Sequence, residues 1–235
     1  MAVLKVLCAL DTSDLDEAVG VVRKLGGLIG GFKVGHSLTL RHGLSVVDRL
    51  RDEGANRIFL DLKFHDIPNT VALAVREASK YGVWMMTLHT SGGPAMMTAA
   101  VEEARAYGDA MAPLLVGVSV LTSLDQNILQ NHLGVSRSVE DQMSFLSDEA
   151  MTCGLDGVVC PAPHIRTVRQ KIGHEGVIVT PGIRMPSGEK HDQSMIGSPE
   201  QALQDGANYL VIGRALTECD NPEERLNQLM SSSKG

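Results

Sequence analysis

The sequence predicts a single (β/α)8 barrel of the TIM type. Three observations carry that expectation: eight short β-rich runs alternate with helical patterns, a glycine follows most of the helices, and the length suits eight such units. At 235 residues the chain sits just under the ~250 residues typical of this architecture and within reach of one hydrophobic core, so one domain over residues 1–235 is expected.

The first strand is read over residues 3–10, and a helical stretch then runs to Gly26. The second, residues 31–34, carries Lys33 between Phe32 and Val34. Leu40, Leu44, Val47 and Leu50 recur at helical spacing ahead of Gly54 and a third strand over residues 56–63. Val71, Val75 and Ala78 mark the next helix, Gly82 stops it, and residues 84–89 form the fourth strand. Met96 and Met97 read as core filling before Gly108 and a fifth strand over residues 114–120. The stripe Val139, Met143, Leu146 and Ala150 leads through Gly154 to residues 157–161, and Gly173 and Gly206 precede the last two strands, residues 176–180 and 208–212. Each of these seven glycines stands where a left-handed helix stop is wanted. Ser198-Pro199-Glu200-Gln201 and Asn221-Pro222-Glu223-Glu224 read as helix starts, with a capping side chain, proline at the first helical position and an acid or amide three residues on. Strict alternation implies parallel pairing through right-handed crossovers, and eight units favour closure over an open sheet. No Gly-rich dinucleotide fingerprint follows the first strand.

Hydrophobic residues make up 43% and charged residues 21%, as in a globular protein, with disorder expected only in the tail at residues 231–235. The net charge of -7 argues against nucleic acid and anionic membrane as partners, while leaving room for a local basic pocket. The N-terminal ten residues are too short and too polar for a signal peptide or a membrane span, so a cytoplasmic protein is expected. Cys8, Cys153, Cys160 and Cys219 lack metal spacing and read as buried thiols.

Barrel enzymes carry their reacting groups at the C-terminal ends of strands. Here those ends hold Asp11, Lys33, Asp61 and Lys63, and the turn after the third strand adds His65, Asp66, Asn69 and Thr70. Side chains alternate across a strand, so Asp61 and Lys63 share the inner face with Phe59, while Ile58, Leu60 and Leu62 face the helices; Lys33 has the same parity. Asp66, close to the helix start at Pro68, is expected to converge with Lys33, Asp61 and Lys63. Any one of these residues alone reads as a rim ion pair. Desolvating so many charges at neighbouring strand ends is costly, which favours a functional cluster over a structural one. His65 and His89 read as structural. After strands seven and eight, Gly182 with Arg184 and Gly213 with Arg214 form an expected anion cradle, and residues 185–197 read as a lid.

The run Asp61-Leu62-Lys63-Phe64-His65-Asp66-Ile67-Pro68-Asn69-Thr70, with Ala9-Leu10-Asp11 and Phe32-Lys33-Val34-Gly35, resembles the orotidine 5'-phosphate decarboxylase family over nearly the whole chain. Val120-Leu121-Thr122-Ser123 and Pro181-Gly182-Ile183-Arg184 are similar to its later motifs in the right order. The resemblance implies conversion of orotidine 5'-monophosphate to UMP without metal or other cofactor, in a homodimer. It implies that Lys33, Asp61, Lys63 and Asp66 form the catalytic network, with Asp66, Ile67 and Thr70 reaching the neighbouring subunit's site. Asp11 and Lys33 would hold ribose and substrate, Thr122 the pyrimidine, and Arg184, Gln193, Gly213 and Arg214 the phosphate side. One departure is that Ser194 and Met195 follow Gln193 where the family often has a basic residue.

Under this reading Lys63 supplies positive charge where the C6 carbanion forms and then protonates it. Three rivals are weighed. A magnesium-dependent keto-sugar-phosphate decarboxylase or synthase uses a similar run, but needs oxygen ligands where Lys33 stands. A Schiff-base aldolase needs a neutral lysine, which flanking carboxylates oppose. A non-catalytic nucleotide-phosphate binding module would not need the full charged set.

Overall fold

The computed structural model describes residues 2–108, 111–183 and 198–231. Eight strands, β1 (Val6–Leu10), β2 (Gly31–Val34), β3 (Ile58–Phe64), β4 (Met85–His89), β5 (Leu114–Val118), β6 (Gly157–Val159), β7 (Val177–Thr180) and β8 (Tyr209–Ile212), pair in chain order. All pairs are parallel, and β8 closes on β1 through Val6 opposite Leu210, so the sheet is the expected closed (β/α)8 barrel. Around it lie α1 (Leu15–Leu25), α2 (His36–His42), α3 (Val46–Asp52), α4 (Pro68–Ser79), α5 (Pro94–Arg105) and α6 (Gln126–Asn131). They are followed by α7 (Val139–Thr152), α8 (Ile165–Ile172), α9 (Pro199–Gln204), α10 (Arg214–Thr217) and α11 (Pro222–Ser231). Among the described residues no helix is long and apolar enough to cross a membrane.

Alternation along the strands separates two apolar layers. Inward side chains of Leu7, Ala9, Phe59, Met85, Val116, Val179 and Val211 fill the barrel, whereas Cys8, Phe32, Leu60, Met86, Val158, Ile178 and Ile212 pack against the helices. Packing the interior from below raises the polar layer to the upper rim. The base is closed by Trp84 edge-on to Tyr209 at 5.0 Å, with the Arg57 guanidinium 5.0 Å above the indole. Arg169 ties β7 to β8 there, donating to the carbonyls of Gly173, Gly176 and Gly206 and to Asn208 Oδ1, which in turn accepts from Ile178 N.

Most local expectations hold. Ser198 and Asn221 cap their helices through bonds from Gln201 N and Glu224 N. Three readings change. β1 begins at Val6, with a 3-10 turn over Ala2–Lys5 below it, because β2 and β8 offer partners only from Leu7 and Val6 onward. The left-handed stop after α1 is Gly27 (φ 81°), one residue beyond Gly26, whose N–H bonds the Val22 carbonyl at φ -56°. The stripe from Leu40 to Leu50 spans two helices, because Gly43 (φ 69°) ends α2; Leu40 is 84% exposed while Val47 and Leu50 are buried.

Candidate active site

The upper rim holds charges of alternating sign in a connected chain. Lys33 Nζ donates to Asp11 Oδ1 at 2.8 Å and lies 3.5 Å from Asp61 Oδ2, and Lys63 Nζ donates to Asp61 Oδ1 at 2.8 Å. Each ammonium thus faces a carboxylate, the arrangement that makes burying such charge tolerable. Side chains of Lys33 and Asp61 are only 12% and 13% exposed, whereas Lys63 at 31% and Asp11 at 63% are the open ends. Burial of Lys33 works to lower its pKa, but Asp61 and Asp11 outweigh it and hold the ammonium above the ordinary lysine value. Burial likewise opposes ionisation of Asp61, and Lys33 and Lys63 overcome it, so this carboxyl lies below the ordinary aspartate value. Both shifts favour the charged forms of Lys33 and Asp61.

β3 reaches this geometry by leaving its ladder. Leu60 pairs with Met86 and Phe64 with Leu88, so Asp61, Leu62 and Lys63 oppose the single residue Thr87. Two extra residues preserve the period-two alternation: Leu62 and Phe64 still pack outward on the helix layer, and Asp61 and Lys63 still point inward. Lys63 absorbs the excess length at φ 50°, the sole positive φ of a non-glycine among the described residues. His36 Nε2, 3.1 Å from the Leu62 carbonyl oxygen, braces the same segment from α2.

Asp11, Lys33, Asp61 and Lys63 open onto a cavity of about 1020 Å³ over the barrel mouth, whose wall also includes Thr122, Pro181, Gly182, Gly213 and Arg214. Gly213 brings backbone close to the charged end of β1, since a Cβ there would sit 3.6 Å from Ala9 Cβ and 3.7 Å from Asp11 Oδ2. Arg214 opens α10 and is exposed to this cavity. Arg184 and Gln193 lie outside the described residues, as does the proposed lid at 185–197.

Asp66 does not join the cluster within one chain, contrary to the expected convergence. The chain turns away from the barrel axis after Phe64, and the Asp66 carboxylate folds back to accept from Ile67 N at 2.6 Å. It is exposed, as are Ile67 (67%) and Thr70. Asp66 and Thr70 instead line a second cavity of about 300 Å³ on the flank of Lys63, with Leu62, Phe64 and His65. His65 and His89 pack ring to ring at 5.2 Å, and neither borders the larger cavity. Burial, with help from His65 and Lys63, lowers the His89 pKa. Cys8 and Cys160 are buried thiols as expected, each pushed up to about 12 chiefly by desolvation, whereas Cys153 is partly exposed and Cys219 reaches the cavity wall.

Sequence reasoning passed over Thr87 and Arg225. Thr87, at an inward position of β4, is 1% exposed and bonded to both Asp61 and Lys63. Its signal was a lone hydroxyl amid Met85, Met86 and Leu88. Arg225 reaches the cavity wall from α11, and no local pattern marked it.

Comparison with known proteins shows what the chain is similar to. The model of the orotidine 5'-phosphate decarboxylase / HUMPS family matches residues 5–229. An orotidine 5'-phosphate decarboxylase of Pseudoalteromonas translucida is 44% identical over 218 residues, 93% of this chain and 92% of that one. One from Legionella pneumophila strain Corby is 43% identical over 227 residues, 96% of this chain and 97% of its own. Among solved structures, the orotidine 5'-phosphate decarboxylase of Lactobacillus acidophilus superposes with a TM-score of 0.84 at 30% identity, covering 98% of this chain and 99% of that one. An uncharacterized conserved protein from Geobacillus kaustophilus gives the same TM-score at 31% identity, covering 97% and 100%. With a family model spanning nearly its full length and relatives this similar over nine-tenths of their own, the chain belongs to the orotidine 5'-phosphate decarboxylase / HUMPS family.

Proposed function

We propose that the chain is a single catalytic barrel that decarboxylates orotidine 5'-monophosphate to UMP in the cytoplasm, without metal or other cofactor. The observation that carries this reading is the chain of alternating charges Asp11, Lys33, Asp61 and Lys63 at the mouth of a nucleotide-sized cavity. When the bond from C6 to the carboxyl carbon breaks, CO2 departs and the electron pair stays on C6, where the pyrimidine ring delocalises it poorly. A fixed cation is then the main means of lowering the barrier. Two unit charges about 4 Å apart attract by about 4 kcal/mol at an effective dielectric of about 20, so the Lys63 ammonium contributes materially and then gives a proton to C6. Asp61 holds it in place, and Lys33 neutralises the other side of Asp61. Asp11 holds the ribose and Thr122 the pyrimidine. Gly213 and Arg214, with Arg184 and Gln193, grip the phosphate, so that binding energy remote from the reacting bond orders the site.

Asp66, Ile67 and Thr70 serve the partner's site in a homodimer. Their exposure beside Lys63, with an isoleucine 67% open to solvent, supports that role. The magnesium-dependent alternative needs Asp11 and Asp61 as open oxygen ligands, yet Lys33 Nζ stands against both at 2.8 and 3.5 Å. The deciding experiment follows CO2 release from orotidine 5'-monophosphate with and without chelator, in wild type and Lys63→Ala. Turnover unchanged by chelator and reduced at least ~10³-fold by the substitution is expected. Chelator-sensitive turnover, or a fully active Lys63→Ala protein, overturns the reading; UMP binding with no turnover in wild type would make the chain a binding module.

A further inference from the structure

The irregular end of β3 raises a question the catalytic chain does not answer: what keeps three residues in place where the neighbouring strand offers one. A regular ladder would supply backbone partners to Lys63, but between the Leu60–Met86 and Phe64–Leu88 pairs β4 contributes Thr87 alone. The Lys63 backbone is also in the left-handed region, which a lysine holds only when its surroundings impose it.

We infer that Thr87 is a positioning residue for the decarboxylation proposed above: its hydroxyl clamps the lysine and the aspartate of the reacting pair into a single geometry. The Lys63 N–H donates to Thr87 Oγ1 at 2.9 Å, and the same hydroxyl donates to Asp61 Oδ1 at 2.9 Å. Asp61 Oδ1 also receives Lys63 Nζ at 2.8 Å, so the hydroxyl, the carboxylate and both ends of Lys63 are linked in a closed ring. A hydroxyl can fill both roles because it donates and accepts at once. Thr87 is 1% exposed and does not border the large cavity, so it acts through Asp61 and Lys63 and not on a ligand. With Thr87 in place, water is kept from the strained Lys63 amide and Asp61 keeps one oxygen aimed at the ammonium. Without it the N–H loses this partner, the carboxylate is free to rotate, and Lys63 Nζ loses its fixed position.

Displacements of about 1 Å at a reacting group cost on the order of 10²-fold in rate. Thr87→Val keeps the branched shape and removes the hydroxyl, while Thr87→Ser keeps the hydroxyl and removes a methyl. The expected result is a kcat about 10–100-fold lower in Thr87→Val, with KM and UMP affinity within about threefold of wild type, and recovery to within about fivefold in Thr87→Ser. The acid limb of the kcat profile should move to higher pH in Thr87→Val and return in Thr87→Ser, because Asp61 loses and regains a donor. Wild-type kcat and an unmoved acid limb in Thr87→Val overturn the inference, as do equal losses in both variants that track a lowered Tm. Amide hydrogen exchange of Lys63 gives a reading independent of turnover: protection in wild type and Thr87→Ser, lost in Thr87→Val, supports the clamp, and equal protection in all three overturns it. If wild type failed to decarboxylate the substrate, the functional reading would fall while exchange still decided whether the clamp exists.

Discussion

Asp61 is the residue on which the site turns, because it accepts from Lys63 and Thr87 through one oxygen and faces Lys33 through the other. Its folded-state pKa is depressed, so the stability it contributes is present above the unfolded value of about 3.9 and is lost as pH falls through the lower folded value. Lys33 is the opposite case. Its folded value is raised, so its contribution is complete below the unfolded value of about 10.4 and is lost as pH rises through the folded one. Asp61→Asn, which leaves two ammonium groups facing an amide, should therefore lower Tm by several degrees at pH 7. The deficit should shrink as pH falls from about 4 toward the lower folded value, because the unfolded wild-type chain takes up a proton at Asp61 before the folded one does. Thermal melts of both proteins across that range check this, and a deficit that does not depend on pH would contradict it.

Among the elements, the glycines show how differently one residue type can be used. Gly157 on β6 lies so close to β7 that an added Cβ would sit 2.0 Å from the Val177 carbonyl oxygen, a backbone atom that cannot step aside. Gly20, inside α1, has nothing within 4 Å of the same added atom and does not need positive φ. Gly157→Ala should accordingly destabilise by about 3 kcal/mol or more through overpacking, and Gly20→Ala should stabilise by about 0.5–1 kcal/mol through helix propensity. Denaturant midpoints measure both, and a tolerated Gly157→Ala would show that the β6–β7 pair can spread. β3 illustrates a different economy: its two extra residues keep the facing of every side chain while giving up regular pairing, which places two opposite charges side by side at the rim.

For the whole molecule the open question is where Asp66 acts, since it stands apart from Lys33 and Asp61 within one chain. If it completes the site of a second copy, a mixture of Lys63→Ala and Asp66→Asn protomers that exchange subunits should regain activity neither has alone. Random pairing makes about half of the dimers mixed, each with one intact site, so about a quarter of wild-type turnover is expected. Activity no greater than the sum of the separate variants would place Asp66 outside the partner's site.

Strand count, parallel closed order, the inward parity of Lys33, Asp61 and Lys63 and the two proline-led helix starts were all legible along the chain. All of these follow from local periodicity and capping chemistry, which neighbouring residues set. The sequence misplaced the stop at Gly26 and joined α2 to α3 through Leu40, because both depend on which way the chain turns after an element ends. That three residues of β3 face one of β4, and hence that Thr87 bonds the charged pair, emerged only from the folded barrel. Register between strands is fixed by packing across the sheet, and no spacing along a single strand encodes it.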